Sequence, residues 1–321
     1  MPTIAIVVPV FNEKNNLPVF IQSTSEVCAG LAKKHGATFK LIFVDDGSTD
    51  GSAEWLMASA KSSLPIELVK LSRNFGKEAA ICAGLSASDS ADAIVIMDAD
   101  LQHPPELIDT FLGHWLNDGY DVVYANRNDR QAAGGGLSFF SRLFYSIINS
   151  GSRFEIPRDA GDFRLINRRA TNALLLLPEN ERFMKGLYAW IGFRQKGVSF
   201  RPAERLMGET GFSPLRLMLL SIDGLTSFTI APLRYMAGFG LVICVLSFLY
   251  GGYIIAERLF WGNEIPGFAS VITLISFFGG MQFVCLGIIG EYVGKALIET
   301  KKRPQYIVED RTTIPKSEET E

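Results

Sequence analysis

The stretch "IVIMDADLQHPP", Ile94 to Pro105, ends an apolar run in two carboxylates, Asp98 and Asp100, spaced by one residue. Like charges side by side repel, and removing both from water costs several kcal/mol unless a cation compensates. In an extended segment residues i and i+2 face the same way, so both carboxylates can meet one ligand while Ala99 turns back towards the sheet. Hard oxygen donors of this kind select a magnesium-like ion, with phosphate oxygens completing its shell. The pattern implies Mg²⁺ or Mn²⁺ holding a phosphorylated ligand.

The elements that must position these carboxylates follow from hydrophobic periodicity. Short β-branched runs at Ile4–Val8, Phe39–Val44, Ile66–Leu71, Ala93–Met97 and Val122–Tyr124 alternate with helical stretches at Asn16–Lys34, Ser52–Ala60, Lys77–Ala87 and Pro105–Trp115. This alternation predicts βαβ units, an α/β fold with a mostly parallel sheet. Ligands of such sheets bind at the carboxyl ends of the strands. There stand "PVFNE" (Pro9–Glu13), "DDGSTDG" (Asp45–Gly51), "SRNFGKEAA" (Ser72–Ala80) and "DADLQHPPE" (Asp98–Glu106). One such end is explicable as a helix cap, since Ser48, Thr49 and Asp50 all suit that place. Four in succession form one pocket rim. A rim carrying Asp45, Asp46, Asp98 and Asp100 repels a bare diphosphate, so a nucleotide there needs a bridging divalent ion. Within the same loops, Lys77 and Glu78 read as an exposed ion pair opening a helix. Phe75 and Gly76 read as residues that shape the pocket, and His103 as an exposed turn residue rather than a metal ligand.

Composition changes sharply along the 321 residues. Met236–Ala256 and Phe268–Gly290 carry no charge, and each is long enough to cross a ~30 Å hydrocarbon layer. A buried hairpin in a soluble core is the competing reading, disfavoured because soluble helices rarely run so long without a charge. The connection "ERLFWGNEIPG" has one basic residue, Arg258, whereas Arg234 and Lys295, Lys301, Lys302 and Arg303 flank the spans. That bias puts both flanks, and the N-terminal domain, on the cytoplasmic side. The start "MPTIAIVVPVFNE" shows no basic leader or cleavage site. Cys28, Cys82, Cys244 and Cys285 lack C-x-x-C spacing, so neither a disulfide frame nor a zinc site is expected. A net charge of −3 argues against nucleic acid as a partner. No G-x-G-x-x-G opens the first helix, which disfavours a dehydrogenase.

These motifs resemble family 2 glycosyltransferases with the nucleotide-sugar-binding GT-A fold. "VVPVFNE", "VDDGSTDGS", "LSRNFGKEAAICAGL" and "MDADLQHPPE" stand in that family's order and spacing. "GDFRLINRRA", "RFMKGLYAWIGF" and two spans after "LSIDGLTSFTIAPLR" resemble its polyprenyl-phosphate (bactoprenol) glucosyltransferase branch, which is similar to dolichyl-phosphate mannose synthases. The resemblance implies sugar transfer from a nucleotide-sugar donor, most simply UDP-glucose, to undecaprenyl phosphate at the cytoplasmic face of the inner membrane, with inversion.

By the same resemblance Pro9, Phe11, Asn12, Glu13, Asp45 and Asp46 hold the base and ribose. Asp98 lies near ribose and metal, Asp100 is the principal metal ligand, and Gln102 is a second. Asp162 is the suggested base or orienting group, the alternative being a buttress for Arg164. Arg127, Arg130, Arg164 and Arg205 are the phosphate-binding candidates, with Lys185 and Arg201 in later matching segments. One departure stands out: "GETGFSPLR" has Gly211 where many relatives carry a lysine, so either Arg205 or Arg216 supplies the charge or the segment serves only as a mobile lid.

The implied organisation is a cytoplasmic catalytic domain at 1–212, interfacial amphipathic helices at 213–233, a transmembrane hairpin at 234–294 and a tail at 295–321, disordered beyond Val308. The lipid bilayer is a partner, and homo-oligomers through the transmembrane helices are expected. The alternatives are GDP-mannose or another nucleotide sugar as donor, or a catalytically inactive membrane-anchored scaffold.

Overall fold

A computed structural model describes residues 1–59, 62–127, 156–157, 160–180, 182–200, 231–261 and 267–314. Four βαβ-type steps come first: β1 (Thr3–Val10), α1 (Leu17–His35), β2 (Thr38–Asp45), α2 (Ser52–Ser59), β3 (Ile66–Leu71), α3 (Lys77–Ala87), β4 (Ala93–Ile96), α4 (Leu107–Leu116) and β5 (Val122–Arg127). Then follow β6 (Ala160–Asn167), α5 (Arg168–Leu175), α6 (Met184–Trp190), β7 (Gln195–Phe200), the long helices α7 (Ala231–Trp261) and α8 (Phe268–Thr300), and β8 (Val308–Ile314).

The eight strands form one sheet in the order β7-β5-β6-β4-β1-β2-β3-β8. Its centre is parallel: β1 pairs with β2 and β4, and β2 with β3. These strands are apolar on both faces and almost fully buried, as expected where helices cover both sides. α3 reaches the sheet closely because Gly84 has no side chain; a Cβ there would lie 2.2 Å from Val7 Cγ1. Strand β6 enters antiparallel between β4 and β5, pairing Ala93 with Asn167 and Ile96 with Arg164. Antiparallel entry brings the start of β6 to the carboxyl end of β4, where the "DAD" turn begins.

The tail departs from its expected disorder. Val308–Ile314 is β8, antiparallel to β3 at the sheet edge. Its charges, which read as a solvated tail, are used in cross-strand pairs: Arg311 bonds Glu67 and donates to Ala87 O, and Lys70 lies 3.4 Å from Glu309. Ile314 is buried. Tyr306 Oη lies 2.9 Å from Ser86 Oγ, fixing the approach to the strand.

The chain divides into two compact units. One holds the sheet (Met1–Arg142, Phe154–Phe212 and Arg303–Glu321) and the other holds the two long helices (Leu143–Arg153 and Ser213–Lys302). α7 and α8 contain stretches long and apolar enough to cross a membrane, Tyr235–Ile254 and Phe277–Thr300, with no part of their most apolar windows buried. Side chains such as Phe248, Leu249 and Phe283 are at least 66 % exposed. That continuous apolar surface is more than a monomer commonly shows to water and suits association with a membrane. α8 continues six residues past the expected boundary at 294. The expected interfacial segment lies outside the described residues up to 230, and 231–233 open α7.

Candidate active site

The first two rim loops are locked to each other. Asn12 adopts a left-handed backbone (φ 59°), a conformation asparagine tolerates better than most residues. Its N–H donates to Ser48 Oγ (3.0 Å), and its Oδ1 accepts from Thr49 N (2.8 Å). Glu13 N donates to Ser52 Oγ and Lys14 N to Asp50 Oδ2. The side chain of Asn12 is therefore committed to the loop, while Phe11 beside it is 47 % exposed at the rim. Pro9 is the penultimate residue of β1, opposite Val44.

Asp45 ends β2, Asp46 follows it directly, and both are buried. Burial pushes each carboxyl above its usual range, against hydrogen bonds that lower it. Asp45 accepts from Ser48 N. Asp46 accepts from Phe75 N (2.7 Å) with one oxygen and from Gly76 N (2.9 Å) with the other. Its geometry is that of a brace between the ends of β2 and β3, rather than a ligand for base or ribose. Gly47 permits this contact: it has φ 72°, and a Cβ would lie 2.7 Å from the backbone of Arg73 and Asn74.

Bracing Phe75 and Gly76 fixes the start of α3, and with it Lys77. Lys77 Nζ lies 2.7 and 2.8 Å from the two oxygens of Asp98 and 2.8 Å from Asp162 Oδ2. It is not the isolated surface pair with Glu78 that its sequence position suggested. Burial works to lower the Lys77 ammonium, but Asp98 and Asp162 override it and hold it well above the usual lysine range. Asp162 shows the converse. Burial opposes its charge, yet Lys77, Lys185 and Arg164 hold its carboxyl well below the usual carboxylate range.

The "DAD" turn is shaped around Asp100. Leu101 takes φ 61°, a strained value for a branched side chain, and packs its side chain against the core. The chain reverses there, and Gln102 N returns to Asp100 Oδ1 at 3.1 Å. His103 is half-buried, contrary to expectation: its ring stacks on Phe163 at 4.9 Å and its Nδ1 accepts from Asp98 N at 3.3 Å. It braces the backbone beside the carboxylates. Glu13 faces the same region, its carboxyl raised first by burial and further by Asp100 and Asp98, while Asn16 opposes the rise with a 2.6 Å bond.

Glu78 turns the other way. It accepts from the amide of Met184 at the start of α6, and its Oε2 is buried with no hydrogen-bond partner among the described residues. Burial, and then Asp162, push its carboxyl up to about 7.

Arg164 also departs from expectation. It is 1 % exposed, its guanidinium lies 3.6 Å from the centre of the Tyr188 ring, and it donates to Gly161 O. A guanidinium buried on an aromatic face is a structural cation for β6 and α6, not a free phosphate ligand. Arg127 is the last residue of β5. Arg130, Arg201, Arg205, Gly211 and Arg216 lie outside the described residues.

Residues 5–175 match glycosyl transferase family 2, and residues 231–296 match the GtrB C-terminal hairpin. An uncharacterized glycosyltransferase of Synechocystis is 40 % identical over 96 % of this chain and 95 % of its own length. The chain belongs to glycosyl transferase family 2. The prophage bactoprenol glucosyl transferase homolog of Escherichia coli K12 is 37 % identical, covering 95 % of this chain and 98 % of the relative. The bactoprenol glucosyl transferase of Shigella phage SfV is 38 % identical, covering 96 % and 98 %. Among solved structures, a glucosyl-3-phosphoglycerate synthase from Mycobacterium tuberculosis with Mn²⁺, UDP-glucose and phosphoglyceric acid aligns at 22 % identity, covering 70 % of this chain and 79 % of that one, with TM-score 0.46. That likeness is too loose to carry residues across.

In this family 2 glycosyltransferase the acidic rim thus brings Glu13, Asp98, Asp100 and Asp162 together, from β1, β4 and β6, and leaves Asp46 and Arg164 to the scaffold. Among the described residues no three carboxylate, imidazole or thiolate groups converge as a closed metal cage. Two adjacent carboxylates on an open rim fit Mg²⁺ or Mn²⁺ nonetheless, since such ions are commonly held by one or two carboxylates with substrate phosphates and water. Sequence reasoning missed Lys77, Glu78 and Tyr188. The visible signal for the first two is the polar strand end "SRNFGKEAA", whose place on the rim puts its side chains beside the carboxylates.

Proposed function

We propose that the protein transfers glucose from UDP-glucose to undecaprenyl phosphate at the cytoplasmic face of the inner membrane, as a multi-pass enzyme with its sheet unit in the cytoplasm. The reading rests on one observation above all: relatives named bactoprenol glucosyl transferase align over both the sheet unit and the hairpin, nearly end to end. The acceptor phosphate oxygen is already anionic at neutral pH and attacks the anomeric carbon opposite the departing UDP. One new C–O bond forms as the old one breaks, so configuration inverts. Pro9, Phe11, Glu13 and Asp45 line the donor side.

Asp100 and Asp98, with Gln102 beside them, would hold a divalent ion. Such an ion supplies charge for the leaving diphosphate. Asp162 is held ionised by Lys77 and its carboxyl lies far below neutral. A carboxylate so weakly basic is poorly matched to general-base work, and an anionic nucleophile needs little of it. Asp162 therefore orients the site. Arg127, Arg130 and Arg205 remain the cations assigned to the acceptor and diphosphate.

The test is a donor panel on purified full-length protein: UDP-glucose, UDP-galactose, UDP-N-acetylglucosamine and GDP-mannose, each with undecaprenyl phosphate. Transfer from UDP-glucose alone, abolished by a chelator, with a β-linked product by NMR, is expected. Preference for GDP-mannose overturns the donor assignment. No transfer from any of these donors, with any divalent metal, leaves the scaffold reading.

A further inference from the structure

The β4–β6 ladder pairs Ala93 with Asn167, Ile94 with Ile166 and Ile96 with Arg164. The pairing ends at Ile96, and Asp98 and Asp162 come together just past it, both within 2.8 Å of Lys77 Nζ. Like charges so close repel, and Glu13 and Asp100 add further negative charge to the same rim. Lys77 is the cation that answers this problem, through three carboxylate oxygens at 2.7–2.8 Å.

Its location is unfavourable on local grounds. Lys77 is the first residue of α3, where the helix dipole disfavours a positive charge. The fold nevertheless fixes it there from both sides. Asp46 grips the amides of Phe75 and Gly76 immediately before it, and Gly76 takes φ 98°. Behind it, Gly84 lets α3 settle onto Val7. A surface lysine serving only its own helix requires none of these restraints.

We propose that Lys77 is a positioning residue that makes metal loading depend on the nucleotide: it occupies both oxygens of Asp98 until a diphosphate arrives to take the ammonium in their place. This deepens the function proposed above and rests on it. A divalent ion alone must displace an ammonium from Asp98 with nothing to receive it. A divalent ion entering with a nucleotide diphosphate brings the acceptor oxygens that Lys77 can turn to, while its contact with Asp162 persists. Metal and donor then enter as a unit, and Asp98 and Asp162 are kept ionised at a fixed separation beforehand.

The experiment is Mn²⁺ binding to the full-length protein in detergent, read by EPR of free Mn²⁺, with and without UDP. Wild type binds Mn²⁺ weakly alone and at least about tenfold more tightly with UDP, because the bound diphosphate is where the displaced ammonium goes. Lys77→Met frees Asp98, so Mn²⁺ alone binds at least about tenfold more tightly than in wild type, and the further gain with UDP, whose phosphate oxygens still ligate the ion, shrinks by about the same factor. Lys77→Arg keeps the charge and keeps the UDP dependence, and it serves as the folded control. Unchanged or weaker Mn²⁺ binding to Lys77→Met without UDP, or a loss of UDP dependence in Lys77→Arg, overturns the proposal. If wild type binds no Mn²⁺ even with UDP, the metal and donor assignments beneath it fall first, and this one with them.

Discussion

Glu78 offers the sharpest test of the charge arrangement, because its carboxyl is buried, faces Asp162 and has one oxygen without a partner. Its carboxyl is pushed from 4.5 up to about 7, first by burial and then by Asp162. Keeping it ionised in place costs about 3 kcal/mol more than in water. The sign follows directly. The folded state holds the proton longer than the unfolded chain, so Glu78 makes stability fall as pH rises from 4.5 to about 7, and the loss is complete above that. Glu78→Gln keeps the shape and an acceptor for the Met184 amide but removes the ionisation. At pH 8 the variant is expected to be the more stable, by at most about 6–12 °C in Tm for a unit of this size and by roughly 3–6 °C after solvent screening. At pH 5 the advantage shrinks to about a quarter. Thermal unfolding of the full-length protein in detergent, followed by tryptophan fluorescence at both pH values, measures it. Equal Tm values at pH 8, or an advantage that does not change with pH, would refute the assignment of Glu78 as a destabilised buried carboxyl.

Two other outcomes follow from the same geometry. Asp162→Asn is expected to lower transfer by about a hundredfold or more while leaving the acid limb of the kcat–pH profile in place. Asp162 is depressed and already ionised through the mildly acidic range, and its pairing with Lys77 is lost only in strong acid; a displaced acid limb would instead identify a titrating base. Gly47→Ala places a Cβ 2.7 Å from the backbone of Arg73 and Asn74 at φ 72°. It should lower stability by about 1–3 kcal/mol, and an unchanged Tm would show that the β2 and β3 loops are not held as described.

The parallel centre of the fold was legible because each of its strands is a short apolar run separated from the next by a helix-length stretch, even though α3 buries residues on nearly every side. β1 to β5 and α1 to α4 fall within a few residues of their expected ranges. β6 was not legible: "AGDFRLIN" carries two charges, and its strand character depends on Arg164 finding Tyr188, which comes from a helix twenty-four residues later. The same omission hid the Asp98–Asp162 juxtaposition, which exists only once β6 lies antiparallel to β4. Lys77 and Glu78 are neighbours in sequence with opposite destinations, one to the carboxylates and the other to α6. No local pattern separates that pair from two solvated charges. β8 failed for a related reason, since "VEDRTTI" reads as polar until Glu67 and Lys70 stand beside it.

The place of β8 in chain order bears on how the molecule is made. Its partner β3 is synthesised early, but β8 leaves the ribosome only after both long helices. At ordinary elongation rates the hydrogen-bonding edge of β3 waits unpaired for on the order of tens of seconds. An open edge is a template for pairing with another chain, so the nascent sheet is exposed to misassembly while the two long helices are still being made. Completion of the sheet thus comes only after the apolar helices have been made.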